Sequence, residues 1–344
     1  MKEEKSLVGV LNGEKRNPPP VWLMRQAGRY LPEYRELRAR AGSFWTMCND
    51  PVMAAEITLQ PIHRFDFDAA IIFSDILTVP YALGCAVTFT EGEGPSLPPI
   101  TSADGLERDP VVWQERLSPA YETLVRVHGA LGSKTSLLGF AGAPWTLATY
   151  MAAGRGGDEQ KAAKLWGYRE PESFKRLLDV LADCVAQHLC KQLEAGADAV
   201  QIFDSWASGL PDAQFERWVV VPTKKIVAQI RTIHPKAKII GFPRAATLAG
   251  CERYANETGV DALSLDTAAP MSWAAKTLSD RLALQGNLDP IALIAGGRAL
   301  RDAVDAILKS TRDIPFIFNL GHGILPETPI AHVEELLKIV RGAA

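Results

Sequence analysis

ESFKRLLDVLADCVAQHLCKQLEAG followed by ADAVQIFDS, residues 172–205, contains the unit from which the rest of the chain is built. In its first part apolar side chains fall at positions 174, 177, 178, 181, 185 and 189, the spacing of one helical face. Gly196 stands where a helix C-terminal cap belongs. The second part is a short, nearly continuous apolar run that ends in Asp204 and Ser205. A helix that hands over to such a run is the pattern of a parallel strand covered on both faces.

The same alternation extends in both directions. VWLM at 21–24, AAIIFSDI at 69–76 and SLLGFAGAP at 136–144 precede the quoted strand. KIIGFP at 238–243, DALSLD at 261–266, LALQGNL at 282–288 and PFIFNLGHG at 315–323 follow it, making eight. Asp50 before Pro51 opens one helix, because Asp caps and Pro tolerates the first helical position. A last helix starts near Thr328-Pro329 and runs through Val333, Leu336, Leu337 and Val340. Eight strands alternating with helices predict one α/β domain over residues 1–344, a (β/α)8 TIM barrel with an N-terminal extension and loop insertions. The rival is an open doubly wound sheet, whose glycine fingerprint is absent after the first strand. The insertions are a hairpin, LGCAVTFTEG at 83–92, leading into EGEGPSLPPI at 91–100, and the segment AAGRGGDEQKAAK at 152–164. The latter reads either as a lid or as a solvated loop.

Composition narrows the partners. The 344 residues carry 37 basic and 40 acidic side chains, a net charge of −3, so no broad basic face for nucleic acid is expected. The N-terminus is charged throughout, and no run approaches the length of a membrane span. Five scattered cysteines suit buried free thiols. A soluble cytoplasmic protein, binding neither nucleic acid nor membrane, is the expectation.

In a barrel the chemistry sits at the C-terminal ends of the strands. Those ends carry Arg25, Gln26 and Arg29, then Asp75, Trp145 and Tyr150, then Asp204 and Ser205. Arg244, Asp266, Asn287, Asp289, Asn319 and His322 complete the ring. Three guanidinium groups at the mouth of an acidic chain point to an anionic ligand, since their forked donors match carboxylate or phosphate. Plainer roles stand beside these. Arg25 and Arg29 can pair with Glu33 and Glu36 along a helix, and Asp75 can be only a helix cap. His322 can be a turn histidine, Tyr150 a wall residue, and Arg244 a surface ion pair. No GxxxxGK[ST] or GxSxG motif is present. His188 and Cys190, two apart on one helix, do not face a common metal, and no metal site is expected.

Longer motifs are more specific. PVWLMRQAGRYLPEYRELR at 20–38, FSDIL at 73–77, GFAGAPWTLATYM at 139–151, QGNLDP at 285–290 and FNLGHGI at 318–324 together resemble the uroporphyrinogen decarboxylase family, in family order and across nearly the whole chain. The resemblance implies a homodimeric barrel that needs no cofactor and removes carbon dioxide from the four acetate side chains of uroporphyrinogen. It assigns Asp75 to the pyrrole N–H groups, Arg25 and Arg29 to substrate carboxylates and proton delivery, and Tyr150 to the reacting acetate. Ser205, His322 and, less directly, Gln26 become substrate contacts. AAGRGG after TYM and DSWAS after the fourth strand depart from the family pattern and touch the rim of the pocket. Two other functions compete: a cobalamin-dependent methyltransferase on the same barrel, which uses His and Cys zinc ligands, and a tetrapyrrole carrier without chemistry.

Overall fold

In the computed structural model, which describes residues 5–90 and 94–342, the eight apolar runs lie side by side. Seven form one parallel sheet: β1 (Ala69–Ile71), β4 (Ser136–Gly142), β5 (Ala199–Asp204), β6 (Ile239–Pro243), β7 (Ala262–Ser264), β8 (Ala283–Leu288) and β9 (Phe316–Leu320). Each strand of the sheet pairs with the next along the chain. A separate antiparallel hairpin, β2 (Thr88–Thr90) with β3 (Gly94–Ser96), realises the expected insertion; its turn, 91–93, lies outside the described residues.

The eighth run closes the ring as a bridge instead of a full strand. Val21 pairs with Phe318 of β9, where the Phe318 N–H donates to Pro20 O at 2.9 Å and the Trp22 N–H to Phe318 O at 3.3 Å. On its other side the Asp68 N–H donates to Val21 O at 3.0 Å, and the Val21 N–H donates to Asp68 Oδ2 at 2.9 Å. Segment 20–22 therefore joins the two edges of the sheet.

Although the strands read as continuous apolar runs, their side chains still alternate. Leu138, Ile240, Phe242 and Ile317 fill the barrel, while Leu137, Ile239 and Phe316 pack outward against helices. The N-terminal helix Ser6–Leu11 places Leu7, Val10 and Leu11 in the same cluster as the barrel interior, so the extension plugs the bottom. Halfway up, a polar layer replaces the apolar one. Trp22 Nε1 donates to Gln285 Oε1 at 3.0 Å, and Gln285 Nε2 donates to Gln201 Oε1 and Ser264 Oγ at 3.0 Å.

Local signals do their expected work. Asp50 accepts from the N–H groups of Val52 and Met53 and caps the helix Pro51–Phe65. The helix Pro171–Glu194 is followed by Gly196 at φ +106°, and the last helix spans Ile330–Val340. All five cysteines are free thiols. Among the described residues no helix is long and apolar enough to cross a membrane.

Candidate active site

The side chains that face the mouth follow the strands in order, so the barrel itself spaces them. Counting segment 20–22 as the first stave, Arg25 follows stave one, Asp75 stave two, Tyr150 stave three and Ser205 stave four. Arg244 follows stave five and His322 stave eight, beside Arg25.

Arg25 is aimed by a clamped loop. Its backbone is left-handed, φ +61°, a conformation that costs a non-glycine residue about 1 kcal/mol and persists when its neighbours hold it. Here they do. The Met24 N–H donates to Asn319 Oδ1 and Met24 O accepts from the Ile324 N–H, both at 2.9 Å. On the other side Gln26 Oε1 accepts from the Leu23 N–H at 3.0 Å, and Gln26 Nε2 donates to Ala69 O at 2.9 Å. Gln26 is fully buried with both ends of its amide committed to backbone. Its side chain positions Arg25 from within the wall and does not face the mouth.

The exposed Arg25 side chain lies against the GHG turn. A Cβ added to Gly323 would sit 3.0 Å from Arg25 Nε, and one added to Gly321 would run into the Thr267 backbone. Both glycines flanking His322 are thus set by close approach. Pairing of Arg25 or Arg29 with the nearby helix acids does not occur: Glu33 is taken by Arg64 at 2.8 Å, and neither arginine makes an ion pair among the described residues. Arg29 is exposed near Tyr34, on which its charge acts, and no hydrogen bond joins it to Asp75.

Asp75 does cap a turn, through Oδ1, which accepts from the Leu77 N–H at 2.8 Å. Its other oxygen has no protein partner among the described residues, so capping leaves half the carboxylate free for a ligand. Burial pushes the carboxyl above the ordinary range, opposed by the Leu77 N–H and the Arg25 charge. Burial likewise raises the Tyr150 hydroxyl, opposed by the Trp206 indole and the Arg25 charge and reinforced by Asp75. Asp75, Arg25 and Tyr150 therefore share one electrostatic environment. The Trp206 ring meets Tyr150 edge-on with centroids 6.3 Å apart.

Beneath this group lies a node around Asp204, a strand-end residue to which the sequence assigns no role. Asp204 is 1% exposed, and its Oδ1 accepts from Thr146 Oγ at 2.5 Å. Thr146 Oγ in turn accepts from the Trp206 N–H at 3.1 Å, while Asp204 O accepts from the Arg244 N–H at 3.0 Å. Burial raises the Asp204 carboxyl to about 7. Its place directly before Ser205 was the available signal; the link to Thr146, 58 positions away, was not readable.

His322 is half-buried, and its pKa falls to about 4 through burial first, then through the charges of Arg244 and Arg25. At neutral pH it is an uncharged donor and acceptor between two cations. Ser205 is half-buried at the end of β5, and its carbonyl accepts from Arg244 Nη1 at 3.2 Å. The His188 ring is buried and lies 3.1 Å from the Tyr121 hydroxyl. Among the described residues no three His, Cys, Asp or Glu side chains converge as metal ligands. The arrangement sets unpaired guanidinium groups, whose forked donors suit carboxylate or phosphate, near one carboxylate oxygen that can face a cation or N–H donors.

Comparison with known proteins agrees with this geometry. A solved methyltransferase from Methanosarcina mazei superposes with a TM-score of 0.82 over 99% of both chains at 19% identity, a likeness of fold. A curated uroporphyrinogen decarboxylase of Mesorhizobium japonicum is 55% identical over 344 residues, 100% of both chains. One from Rhizorhabdus wittichii is 53% identical over 340 residues, 99% of this chain and 98% of that one. The family model described as uroporphyrinogen decarboxylase matches residues 2–343, and the chain belongs to the uroporphyrinogen decarboxylase family.

Proposed function

We propose that the protein converts uroporphyrinogen III to coproporphyrinogen III by removing four molecules of carbon dioxide, without a cofactor. The observation that carries this is a free Asp75 oxygen, acted on by the unpaired Arg25 guanidinium, at the mouth of a barrel matched to the family over residues 2–343. Uroporphyrinogen has eight carboxylates, and Arg25 and Arg29 supply complementary charge. Protonation of a pyrrole ring carbon gives a cationic ring. The acetate C–C bond then breaks, its electron pair flows into that ring, and carbon dioxide leaves. A proton added to the exocyclic carbon makes the methyl group, and loss of the ring proton restores the pyrrole.

Each residue has a part in this scheme. Asp75 accepts from the pyrrole N–H groups and stabilises the cation in a site where water is displaced. Arg25 and Arg29 hold carboxylates and assist proton delivery. Tyr150, Ser205 and neutral His322 contact the substrate, and Gln26 fixes the Arg25 loop. We read the chain as one barrel domain over residues 1–344 and as a cytoplasmic homodimer, the last two on the family resemblance alone. Sedimentation equilibrium is expected to give twice the 37.5 kDa chain mass.

Anaerobic incubation with uroporphyrinogen III, followed by oxidation and chromatography of the porphyrins, tests the activity. The expected product carries four carboxylates. Recovery of only the eight-carboxylate species from folded protein overturns the assignment.

A further inference from the structure

Resting on the decarboxylase reading, we infer that Arg244 is a second carboxylate anchor, gripping a non-reacting carboxylate of the substrate across the pocket from Arg25. The two arginines follow staves one and five of an eight-stave ring and so stand on opposite walls. His322, next to Arg25, feels both charges, so Arg244 stands at the same end of the barrel as Arg25.

The Arg244 backbone is fixed from several directions. Its N–H donates to Asp204 O and Phe242 O, both at 3.0 Å. The next residue, Ala245, is held at φ +57°, and its N–H donates to the Asp266 carboxylate. The side chain, by contrast, is largely uncommitted. Nη1 donates to Ser205 O at 3.2 Å, and no carboxylate lies within 4 Å of the guanidinium among the described residues.

Arg231 shows what an arginine serving only structure looks like in this fold. At the other end of the barrel it donates to Asp261 Oδ2 and Ala237 O, both at 2.8 Å, and to the carbonyls of Pro235 and Gly259 at 3.4 Å. Its charge and its donors are both satisfied. Arg244 is half-buried with one carbonyl and no counter-ion, and a guanidinium has five donors to satisfy. An incoming carboxylate would take two of them in fork geometry and neutralise the charge. Asp75 and Tyr150, on staves two and three, stay free for the ring and the reacting acetate.

The test compares the wild-type protein with R244Q and R244K. Binding of uroporphyrin, the oxidised eight-carboxylate macrocycle, is followed by quenching of tryptophan fluorescence, and uroporphyrinogen turnover is measured in parallel. R244Q is expected to raise Kd and KM by about 10- to 100-fold, the loss of one charge-assisted contact, with kcat within twofold and Tm unchanged. R244K should recover part of the affinity, and log KM should depend less steeply on log salt in R244Q. Unchanged Kd and KM in R244Q overturn the anchor. So does a fall in kcat alone, or an R244K as weak as R244Q with a lowered Tm. If wild-type protein binds uroporphyrin but leaves uroporphyrinogen unchanged, the decarboxylase reading fails, and the Kd comparison still decides the anchor.

Discussion

Two carboxylic acids, Asp75 and Asp204, are both pushed up by burial but serve different ends. Asp75 keeps one oxygen on the Leu77 N–H, and an asparagine in its place retains that acceptor while turning an N–H toward the substrate's pyrrole donors. Asp75→Asn is therefore expected to fold normally and to lose about 10²- to 10³-fold in kcat, the usual effect of removing one preorganised charge. Activity within threefold of wild type removes the proposed role. Asp204 makes a prediction about stability. With its carboxyl at about 7 in the native state and near 4 in the unfolded chain, the native form binds the extra proton between those pH values. Its contribution to stability is complete below pH 4, declines as pH rises toward 7, and is lost above. Asn mimics the protonated form and can still accept from Thr146. Relative to wild type, Asp204→Asn should thus gain roughly 2–3 kcal/mol between pH 5 and pH 8. A flat difference in thermal stability across that range contradicts a neutral Asp204.

Individual elements differ in how much of them the sequence revealed. The strand runs at 136–144, 197–205 and 282–288 read correctly because apolar continuity alone specifies a strand covered on both faces. VWLM also read as a strand, yet only its first residue pairs. Side chains from elsewhere, Asp68, Gln26 and Asn319, take the places of strand partners, and such long-range substitutions leave no local pattern. The segment at 152–164 is less free than its glycines imply. Gly154 O accepts from the Leu97 N–H at 2.9 Å, Ser96 bridges Arg155, and a helix already begins at Lys161. The GHG turn shows the same contrast within one element, since its motif was visible but the different tasks of its glycines were not. Gly321→Ala meets the Thr267 backbone and should lower stability by about 1–3 kcal/mol. Gly323→Ala meets the Arg25 side chain, so it should raise KM about tenfold with little change in Tm. Equal effects of the two substitutions on both Tm and KM would contradict that division.

Across the whole molecule, charge is unevenly placed in a way that a net value of −3 conceals. On the outer surface arginines commonly find carboxylates: Arg64 with Glu33, Arg126 with Glu122, Arg301 with Glu335. Such exposed pairs contribute little to stability, but they cancel charge locally. At the mouth, Arg25, Arg29 and Arg244 have no such partners among the described residues, so a positive potential persists there on a molecule that is acidic on average. A concave cationic site in a weakly acidic protein steers a polycarboxylate inward while repelling it elsewhere. Screening acts on that steering and on the rim contacts, since the Debye length shrinks from about 10 Å at 0.1 M salt to about 3 Å at 1 M. The charge separation around Asp75 is enclosed by the bound ring and is screened far less. Raising salt from about 0.05 to 0.5 M should therefore raise KM for uroporphyrinogen roughly tenfold and leave kcat within about twofold. A parallel fall of kcat with salt would place the salt-sensitive charges at the reacting ring, and a KM indifferent to salt would mean that the mouth arginines do not recruit the substrate.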